Sequence, residues 1–407
     1  MYIVINDFSG HPFQIQLSRE LASRGFNVTH LFSKDIVGAK GNLTTADSDP
    51  DTLAIEGLTI GHDINRYNFL KRLVDERKYG QIVAQRILQL KPDIVICSNT
   101  PLDSLVSIRR VCRKRDIPFI FWLQDVLGIA TRTVLSTKLG LVGRLIGEYY
   151  IALEKRLLRS SHHVIPISAD FLEILNRWGV PNNRTSVINN WAPLDEIPKD
   201  SKANCWAIAH DLDQCPVVLY SGALGLKHNP TLLLDLAKNL DSVNPDARLV
   251  VISEGYGADW LREQNRKLGL RTLIQLPFQP FSELPRVLAS ADVLLAILEP
   301  EAGEFCVPSK VLSYMCVERP IVLAASAENL ASKLLVQNQA GLVTAPNTPA
   351  DFTSSVMNLL NNAATRSQMG QSARQYAEQT FDIKKIGDKF ESILVKVLTD
   401  YREKQYP

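Results

Sequence analysis

The chain has 407 residues, of which 45% are hydrophobic and 22% charged, with a formal net charge of +2. These values are typical of a soluble globular protein, and the length allows two or three domains. No uncharged apolar run approaches the ~18 residues that a membrane span needs, which excludes a transmembrane helix.

The cysteines and the first residues predict the compartment. Six cysteines are scattered without a CxxC pair or a metal-like pairing with histidine, which favours buried free thiols in a reducing compartment. The chain opens directly into MYIVIN, with no basic segment or cleavable apolar run before it. We therefore expect a cytoplasmic protein, unless a surface patch docks it peripherally on the inner face of the plasma membrane.

Short apolar runs rich in Val and Ile alternate with amphipathic helical stretches along the whole chain. Strands are predicted in the first half at 2–5, 27–32, 93–97, 118–122, 164–168 and 186–188. In the second half they are predicted at 216–221, 248–253, 272–276, 292–298, 321–325 and 341–345. Helices predicted between them include 13–25, 66–90, 230–240 and 281–290. Continuous apolar runs of this kind are typical of parallel strands buried on both faces, so we predict open, doubly wound α/β sheets.

Two sets of six strands favour two similar Rossmann-like domains over one very large sheet. We predict domains over 1–195 and 215–380, joined by a charged, proline-containing linker at 196–214. The last stretch, 381–407, predicts one long helix that packs back toward the first domain. Because open α/β sheets bind ligands at the carboxyl ends of their strands, two facing sheets imply a central cleft.

Glycine-containing turns open the second domain. Gly222 and Gly225 follow a strand and allow the backbone to approach a ligand, and Lys227 is a candidate for neutralising phosphate. An ordinary strand–helix turn explains these residues almost as well. Gly255 repeats the arrangement one strand later, where the ordinary turn is the better explanation.

The sequence VPSKVLSYM, residues 307–315, is the most informative motif. Ser309 and Lys310 begin a helix after a strand, so backbone N–H groups, a hydroxyl and an ammonium meet at one point. This combination suits a diphosphate bound without a metal, although a capped structural helix with a solvated lysine is the alternative. Glu301 and Glu304, just upstream, are candidates for binding sugar hydroxyls, or form a solvated acidic loop.

In the first half, candidate residues follow two predicted strands. Gly10 and His11 lie in the loop after the first strand, where the glycine would admit a substrate and the histidine is a catalytic or binding candidate. Asp125 follows the buried run 118–122 and faces a cleft or caps a helix. A lone loop histidine is more often simply exposed.

The sequence lacks the motifs of metal-binding sites and of nicotinamide enzymes. The DLD at 211–213 precedes a strand instead of following one, so we reject it as a metal site and predict none. The first strand is not followed by GxGxxG, which argues against a nicotinamide enzyme.

Basic residues concentrate in one region, 109–159, where eleven Lys and Arg face only four acidic residues. A set of solvated helix faces and a surface for acidic partners are equally good interpretations.

The order of these motifs resembles the family 4 glycosyltransferases of the GT-B fold. The resemblance rests on the turn at 220–230, on SEGYGADWL at 253–261, on VPSKVLSYM and on AGLVTAPNTPADF at 340–352. It covers nearly the whole chain, and it is strongest to bacterial sugar transferases of exopolysaccharide, O-antigen and colanic-acid assembly.

The resemblance implies that the second domain binds a nucleotide-sugar donor and the first domain the acceptor. Lys227, Ser309 and Lys310 would hold the diphosphate, with Gly10 beside it. It also implies retention of anomeric configuration, no metal, and contact between a basic, amphipathic region and a membrane that carries lipid-linked acceptors.

Three departures from the family pattern stand out. Ser313 occupies the position of a glutamate that would grip the ribose, and Ala223 replaces an arginine that often accompanies the turn lysine. Glu318 and Arg319 stand where the family has a glycine before Pro320.

We therefore predict a retaining, metal-independent hexosyltransferase that uses a UDP- or GDP-sugar as substrate and has no permanently bound cofactor. The expected acceptor is a lipid-linked or growing cell-envelope saccharide, with peripheral contact to an anionic membrane through 109–159 and no nucleic-acid partner. In this prediction Lys227, Lys310 and Ser309 act on the diphosphate, Glu304 or Glu301 orients the sugar, and His11 and Asp125 face the acceptor. A nucleotide-sugar epimerase of the same fold and a non-catalytic partner subunit are the alternatives.

Overall fold

The computed structural model describes residues 1–36, 40–64, 69–225, 228–298 and 309–405. The chain divides into two compact units. The first comprises Met1–Asn190 together with Ile383–Pro407, and the second comprises Trp191–Asp382.

In the described part of the first unit, six parallel strands form one sheet with the order β3-β2-β1-β4-β5-β6. The strands are β1 Tyr2–Asp7, β2 Asn27–Ser33, β3 Leu53–Leu58, β4 Ile94–Ser98, β5 Phe119–Leu123 and β6 His163–Pro166. All residues of β4, β5 and β6 are buried, as their continuous apolar runs predict.

Two details of this sheet differ from prediction. The edge strand β3 was not predicted, because its sequence LAIEGL carries a glutamate and a glycine and only its first residue is buried. The predicted strand 186–188 is wrong. It is an extended segment in which the N–H groups of Ser186 and Ile188 donate to carbonyls of Val164 and Pro166 in β6, each at 3.1 Å.

Helices connect these strands. They are α1 Pro12–Ser23, α2 Phe69–Leu90, α3 Leu102–Lys114, α4 Leu127–Ser160 and α5 Phe171–Arg177, with a 3-10 turn at Asn182–Arg184. The final helix, α14 Ile383–Gln405, packs on α1. There, Arg24 at the end of α1 donates to Asp388 and Glu391 at 2.7 and 2.8 Å, and the ring of Phe390 lies 4.9 Å from that of Trp122.

The described part of the second unit repeats the topology, with the order β12-β11-β10-β7-β8-β9. The strands are β7 Val217–Ser221, β8 Arg248–Ile252, β9 Leu273–Leu276, β10 Val293–Ile297, β11 Ile321–Ala324 and β12 Gly341–Thr344, and all six were predicted. The helices are α6 Cys205–Ala209, α7 Pro230–Val243, α8 Tyr256–Leu268, α9 Leu284–Ala289, α10 Ser309–Met315, α11 Leu330–Gln337, α12 Pro349–Asn361 and α13 Ala363–Thr380, with a 3-10 turn at Phe281–Glu283. A core of buried hydrophobic side chains lies between the sheet and helices α7, α8 and α12.

This topology determines where ligands can bind. In each sheet the chain starts in the middle and extends first to one side and then to the other. The two directions meet between β1 and β4 in the first unit and between β7 and β10 in the second. At such a switch point the loops after the two strands diverge and leave a crevice at the carboxyl edge. In the described part of the chain, no helix is both long and apolar enough to cross a membrane.

Candidate functional site

The strongest candidate site lies at the switch point of the second sheet, where a lysine passes over a glycine. Gly222 follows β7 with a φ of +133°, a conformation that other residues rarely adopt. A Cβ at this position would lie 2.8 Å from Lys310 Nζ and 2.9 Å from its Cε. Lys310 Nζ also lies 3.8 Å from the centroid of the Tyr220 ring, a cation–π contact. The absence of a side chain at residue 222 therefore allows Lys310 to occupy this position.

The ammonium of Lys310 is buried and lacks a hydrogen-bond acceptor among the described residues. The residue as a whole is only partly buried, whereas its ammonium nitrogen is buried. Burial lowers the pKa of the Lys310 ammonium to about 7. A buried cation without acceptors is unfavourable, and an anionic ligand would supply the acceptors that it lacks.

A tyrosine fixes the helix that carries this lysine. Tyr314 lies one turn after Lys310 in α10 and is fully buried. Its hydroxyl accepts from the N–H of Ser221 at 2.9 Å and donates to the carbonyl of Ser221 at 3.0 Å. Because residues i and i+4 share a helix face, these bonds hold Lys310 against the end of β7. Ser309 is the first residue of α10 and is exposed.

The neighbouring turns are tied together by backbone hydrogen bonds. The N–H of Leu224 donates to Ser253 Oγ at 3.0 Å, and its carbonyl accepts from the N–H of Gly257 at 2.9 Å. Gly255 lies in the turn after β8, immediately before α8. In the turn after β7, the N–H of Gly225 donates to His228 Nδ1 at 3.0 Å. The predicted residues Gly222, Gly225, Gly255, Ser309 and Lys310 thus lie in the turns after β7 and β8 and at the start of α10. Lys227, Glu301 and Glu304 lie outside the described residues.

Sequence reasoning missed the two tyrosines and Ser253. Tyr220 and Tyr314 were included in the apolar patterns of a strand and a helix, where their rings do pack. The available signal was the i, i+4 spacing of Lys310 and Tyr314 in SKVLSYM.

The first sheet has a buried polar network at its own switch point. Asp7 ends β1, and its carboxylate accepts from the N–H groups of Ser9 and His11 at 3.1 and 2.5 Å. The Gln14 amide, with its nitrogen oriented toward Asp7, donates to both carboxylate oxygens at 2.7 and 2.9 Å, and its oxygen accepts from Asn99 Nδ2 at 3.0 Å. Burial raises the pKa of Asp7 to about 7, although hydrogen bonds from the backbone of His11, Ser9 and Gly10 and from the Asn99 side chain lower it.

Further members of this network come from the turn after β4. Ser98 contacts the Gln14 amide, and Asn6 Nδ2 donates to Thr100 Oγ1 at 2.7 Å. Tyr79 of α2 donates to Asn6 Oδ1 at 2.9 Å. This network could not be predicted from the sequence, because bonded residues such as Asn6 and Thr100 are 94 positions apart.

The predicted first-unit residues lie in two separate turns after β1 and β5. The carbonyl of Gly10 accepts from the N–H of Gly41 at 2.9 Å, and the ring of His11 stacks on Phe13 with centroids 5.9 Å apart. Asp125 is half-buried after β5.

A buried carboxylate binds the start of the helix that follows Asp125. Glu154, in the second half of α4, accepts from the N–H groups of Leu127 and Gly128 at 3.0 and 2.8 Å. Burial raises the pKa of Glu154 to about 8. Among the described residues, no group of three His, Cys, Asp or Glu side chains could hold a metal ion.

Comparison with known proteins places this geometry in context. The domain family "Glycosyl transferase 4-like domain" matches residues 14–191, and "Glycosyl transferases group 1" matches residues 208–376. Escherichia coli (strain K12) WcaI, named for colanic acid biosynthesis, is 24% identical over 255 residues, which are 60% of this chain and 60% of WcaI. The chain thus matches less than two thirds of that relative's length.

Solved structures show the same fold. Anabaena HepE in complex with UDP-glucose superposes with a TM-score of 0.68 at 16% identity, covering 97% of this chain and 100% of HepE. WaaG, a glycosyltransferase involved in lipopolysaccharide biosynthesis, gives a TM-score of 0.67 at 14% identity, covering 97% of this chain and 99% of WaaG.

The two domain families match the two parallel six-stranded sheets in the order in which the sheets occur along the chain. This arrangement defines a glycosyltransferase-like protein of the GT-B class. Within that class the chain belongs to family 4, as the order of motifs along the sequence predicted.

Proposed function

We propose that this chain transfers a sugar, with retention of anomeric configuration, from a nucleotide-diphosphate donor to a lipid-linked or growing cell-envelope saccharide. The observation that carries the proposal is Lys310, whose buried ammonium has no acceptor among the described residues and lies at a sheet switch point. A diphosphate oxygen would satisfy this ammonium. The UDP-glucose complex of HepE supports a UDP-sugar as the first donor to test, and the names of WcaI and WaaG support an envelope saccharide as acceptor.

The chemistry requires charge neutralisation at the diphosphate. In the transfer, the bond from the anomeric carbon to a phosphate oxygen breaks, a bond to the acceptor oxygen forms, and the proton of the acceptor hydroxyl passes to the released diphosphate or to water. Negative charge grows on the leaving diphosphate, and a fixed cation at a desolvated position stabilises that charge. Lys310 is such a cation, so we propose that no divalent metal is needed.

The other predicted residues complete the proposal. Ser309 would donate its hydroxyl to the diphosphate, and Lys227 would add a second cation. Glu304 or Glu301 would orient the sugar, and His11 and Asp125 would contact the acceptor. The basic region 109–159 would bring the acceptor-binding unit to an anionic membrane surface.

The experiment starts with a thermal-shift screen against UDP, GDP, ADP and dTDP, with and without EDTA. It is run on the unmodified chain, on Lys310→Met and on Lys267→Met, which removes an exposed lysine of α8 that pairs with Glu263. We expect a metal-independent shift with one nucleotide that is lost only in Lys310→Met. No shift with any nucleotide would favour the non-catalytic alternative.

The second step tests transfer itself. The sugar donors of the selected nucleotide, labelled in the sugar, are incubated with the protein and a bacterial lipid extract. Label that enters the organic phase supports transfer to a lipid-linked acceptor. Conversion of the donor to an isomer without any acceptor would instead establish the epimerase.

A further inference from the structure

The turn after β8 lies beside the turn that Lys310 covers in the second sheet. β8 pairs with β7 in parallel, with Ser221 opposite Ile252, and the N–H of Gly222 donates to the carbonyl of Ile252 at 2.9 Å. Neighbouring strands are ~4.8 Å apart. A ligand whose phosphates contact Lys310 can therefore place its adjoining group over the turn after β8.

Backbone hydrogen bonds and two glycines hold this turn in one conformation. Gly255 has a φ of +105°, and its carbonyl accepts from the N–H groups of Ala258 and Asp259, each at 3.0 Å. A Cβ on Gly257 would lie 2.9 Å from the carbonyl oxygen of Leu224, so the glycine permits the close approach of the two turns. The fold therefore positions the side chains of this turn before any ligand binds.

Glu254 is an exposed carboxylate in this turn. Its Oε1 accepts from the N–H of Phe278, in the turn after β9, at 3.4 Å, which is beyond the usual hydrogen-bond limit of about 3.2 Å. The two acidic residues of α8, Asp259 and Glu263, instead form ion pairs with basic side chains of their own helix. Among the described residues Glu254 thus keeps most of its acceptor capacity for a ligand.

An aromatic ring follows two residues later. Tyr256 is the first residue of α8 and is 70% exposed, whereas Trp260, one helical turn further on, packs against the hydrophobic core. A single exposed aromatic side chain needs no explanation elsewhere on a surface. Here it lies at the carboxyl edge of the sheet, where ligands of such folds bind, and beside a carboxylate.

Carboxylates and aromatic rings are groups that bind nucleosides. In dinucleotide-binding sheets an acidic residue beyond the glycine-rich first turn accepts from a ribose hydroxyl, and aromatic rings stack on bases. We propose that the turn after β8 binds the nucleoside of the donor, with Glu254 accepting from the ribose hydroxyls and Tyr256 stacking on the base. The inference rests on the proposed function, in which Lys310 binds the diphosphate, and extends it to the recognition of ribose and base.

The test is calorimetric titration of the full chain with three ligands at one pH. The nucleoside diphosphate that the thermal-shift screen selects is compared with its 2′,3′-dideoxy form and with inorganic pyrophosphate. The variants are Glu254→Ala, Tyr256→Ser and Tyr256→Phe. The matched control is Glu263→Ala, which removes a carboxylate from the middle of α8. Ser313→Ala removes a half-buried hydroxyl from α10, the rival partner for the ribose.

We expect the unmodified chain to bind the dideoxy form about 10- to 150-fold more weakly, because that ligand lacks the hydroxyls that a charged acceptor would bind. Glu254→Ala should abolish this difference, and Glu263→Ala should keep it. Tyr256→Ser should weaken binding of the nucleoside diphosphate about 5- to 150-fold and leave pyrophosphate binding unchanged. Tyr256→Phe should restore the affinity, because it keeps the ring.

The opposite results are equally specific. A preference for the ribose form that survives in Glu254→Ala, or that only Ser313→Ala removes, would overturn the ribose contact. Unchanged nucleotide binding in Tyr256→Ser would overturn the stacking contact. Either result can occur while Lys310→Met still abolishes nucleotide binding, so this inference can fail while the proposed function stands. If the unmodified chain binds neither a nucleotide nor pyrophosphate, both fail.

Discussion

The pH dependence of nucleotide binding tests whether Lys310 holds the diphosphate. With its pKa lowered to about 7 by burial, the free lysine loses its proton over the range in which most lysines stay charged. A bound diphosphate stabilises the ammonium and raises its pKa again, so binding takes up a proton above neutral pH.

The size of the effect follows from that shift. If Lys310 stays protonated in the complex at every pH, the affinity for the nucleotide ligand falls by up to tenfold per pH unit above 7, and by about 50-fold between pH 7 and 9. The proton uptake approaches about 0.9 per nucleotide bound at pH 8. Removing the charge altogether forfeits a charge-assisted hydrogen bond, worth about 1.5–3 kcal/mol, or roughly 10- to 150-fold in affinity.

The assay is calorimetric titration at pH 7, 8 and 9, in two buffers of different ionisation enthalpy. The nucleotide-sugar identified by the thermal-shift screen is the ligand, because its phosphates do not titrate in this range. Lys310→Arg keeps its charge at every pH, so its affinity should stay flat. Lys310→Met should bind weakly at every pH without proton uptake, and Lys267→Met should behave like the unmodified chain.

One result would refute the reasoning. If the unmodified chain and Lys310→Met share the same pH profile and proton uptake, Lys310 is not the group that titrates on binding. The Lys310 ammonium would then have no role in holding the donor.

Three further substitutions test the geometry. Gly222→Ala forces a side chain into a backbone with φ +133° and against Lys310 Nζ, so we expect about 1–3 kcal/mol of destabilisation and weaker nucleotide binding, measured by urea unfolding and titration. Burial raises the pKa of Glu154 from 4.5 to about 8, so its contribution to stability is complete below pH 4.5 and is lost as the pH rises through 8. Glu154→Gln should flatten that part of the stability–pH profile in urea unfolding at pH 5, 7 and 8.5. Glu318 has φ +59°, which costs a non-glycine residue roughly 1–2 kcal/mol, whereas its partly exposed ion pair with Lys199 is worth about 0–1 kcal/mol. Glu318→Gly should therefore raise the urea midpoint, and a lowered midpoint would mean that the ion pair matters more than the backbone conformation.

Most of the fold could be predicted because parallel strands are buried on both faces and are therefore continuous apolar runs. β10, with the sequence VLLAI, is buried along its whole length. The edge strand β3 is neither a continuous apolar run nor buried on both faces. It pairs with a strand along one edge only, and its residues are largely half-buried. The short segment 186–188 has an apolar composition that fits a strand, yet it makes only isolated hydrogen bonds to β6.

The residues of the candidate site in the second unit could be predicted more readily than their contacts. Glycines after β7 and a serine–lysine pair at a helix start are visible in sequence, so Gly222 and Lys310 were both candidates. Their contact depends on the Tyr314 hydroxyl, which joins residues 93 positions apart. A hydrogen bond over that separation leaves no local pattern in a single sequence. The network of Asp7, Gln14 and Asn99 could not be predicted either, because Asn99 is far from the other two residues in the sequence.

The two switch points share a topology but differ in which ligands they can accept. Between β1 and β4, Asp7 already accepts from two backbone N–H groups and from the Gln14 amide, so its bonding capacity is largely used. A carboxylate there would also repel a diphosphate. Between β7 and β10, the cation of Lys310 lacks an acceptor among the described residues and rests on the face of Tyr220. Because that donor has no acceptor in the described part of the chain, an anion gains more at the second sheet than at the first. This asymmetry, rather than the shared Rossmann-like topology, supports the proposal that the second unit binds the diphosphate and the first unit binds the acceptor.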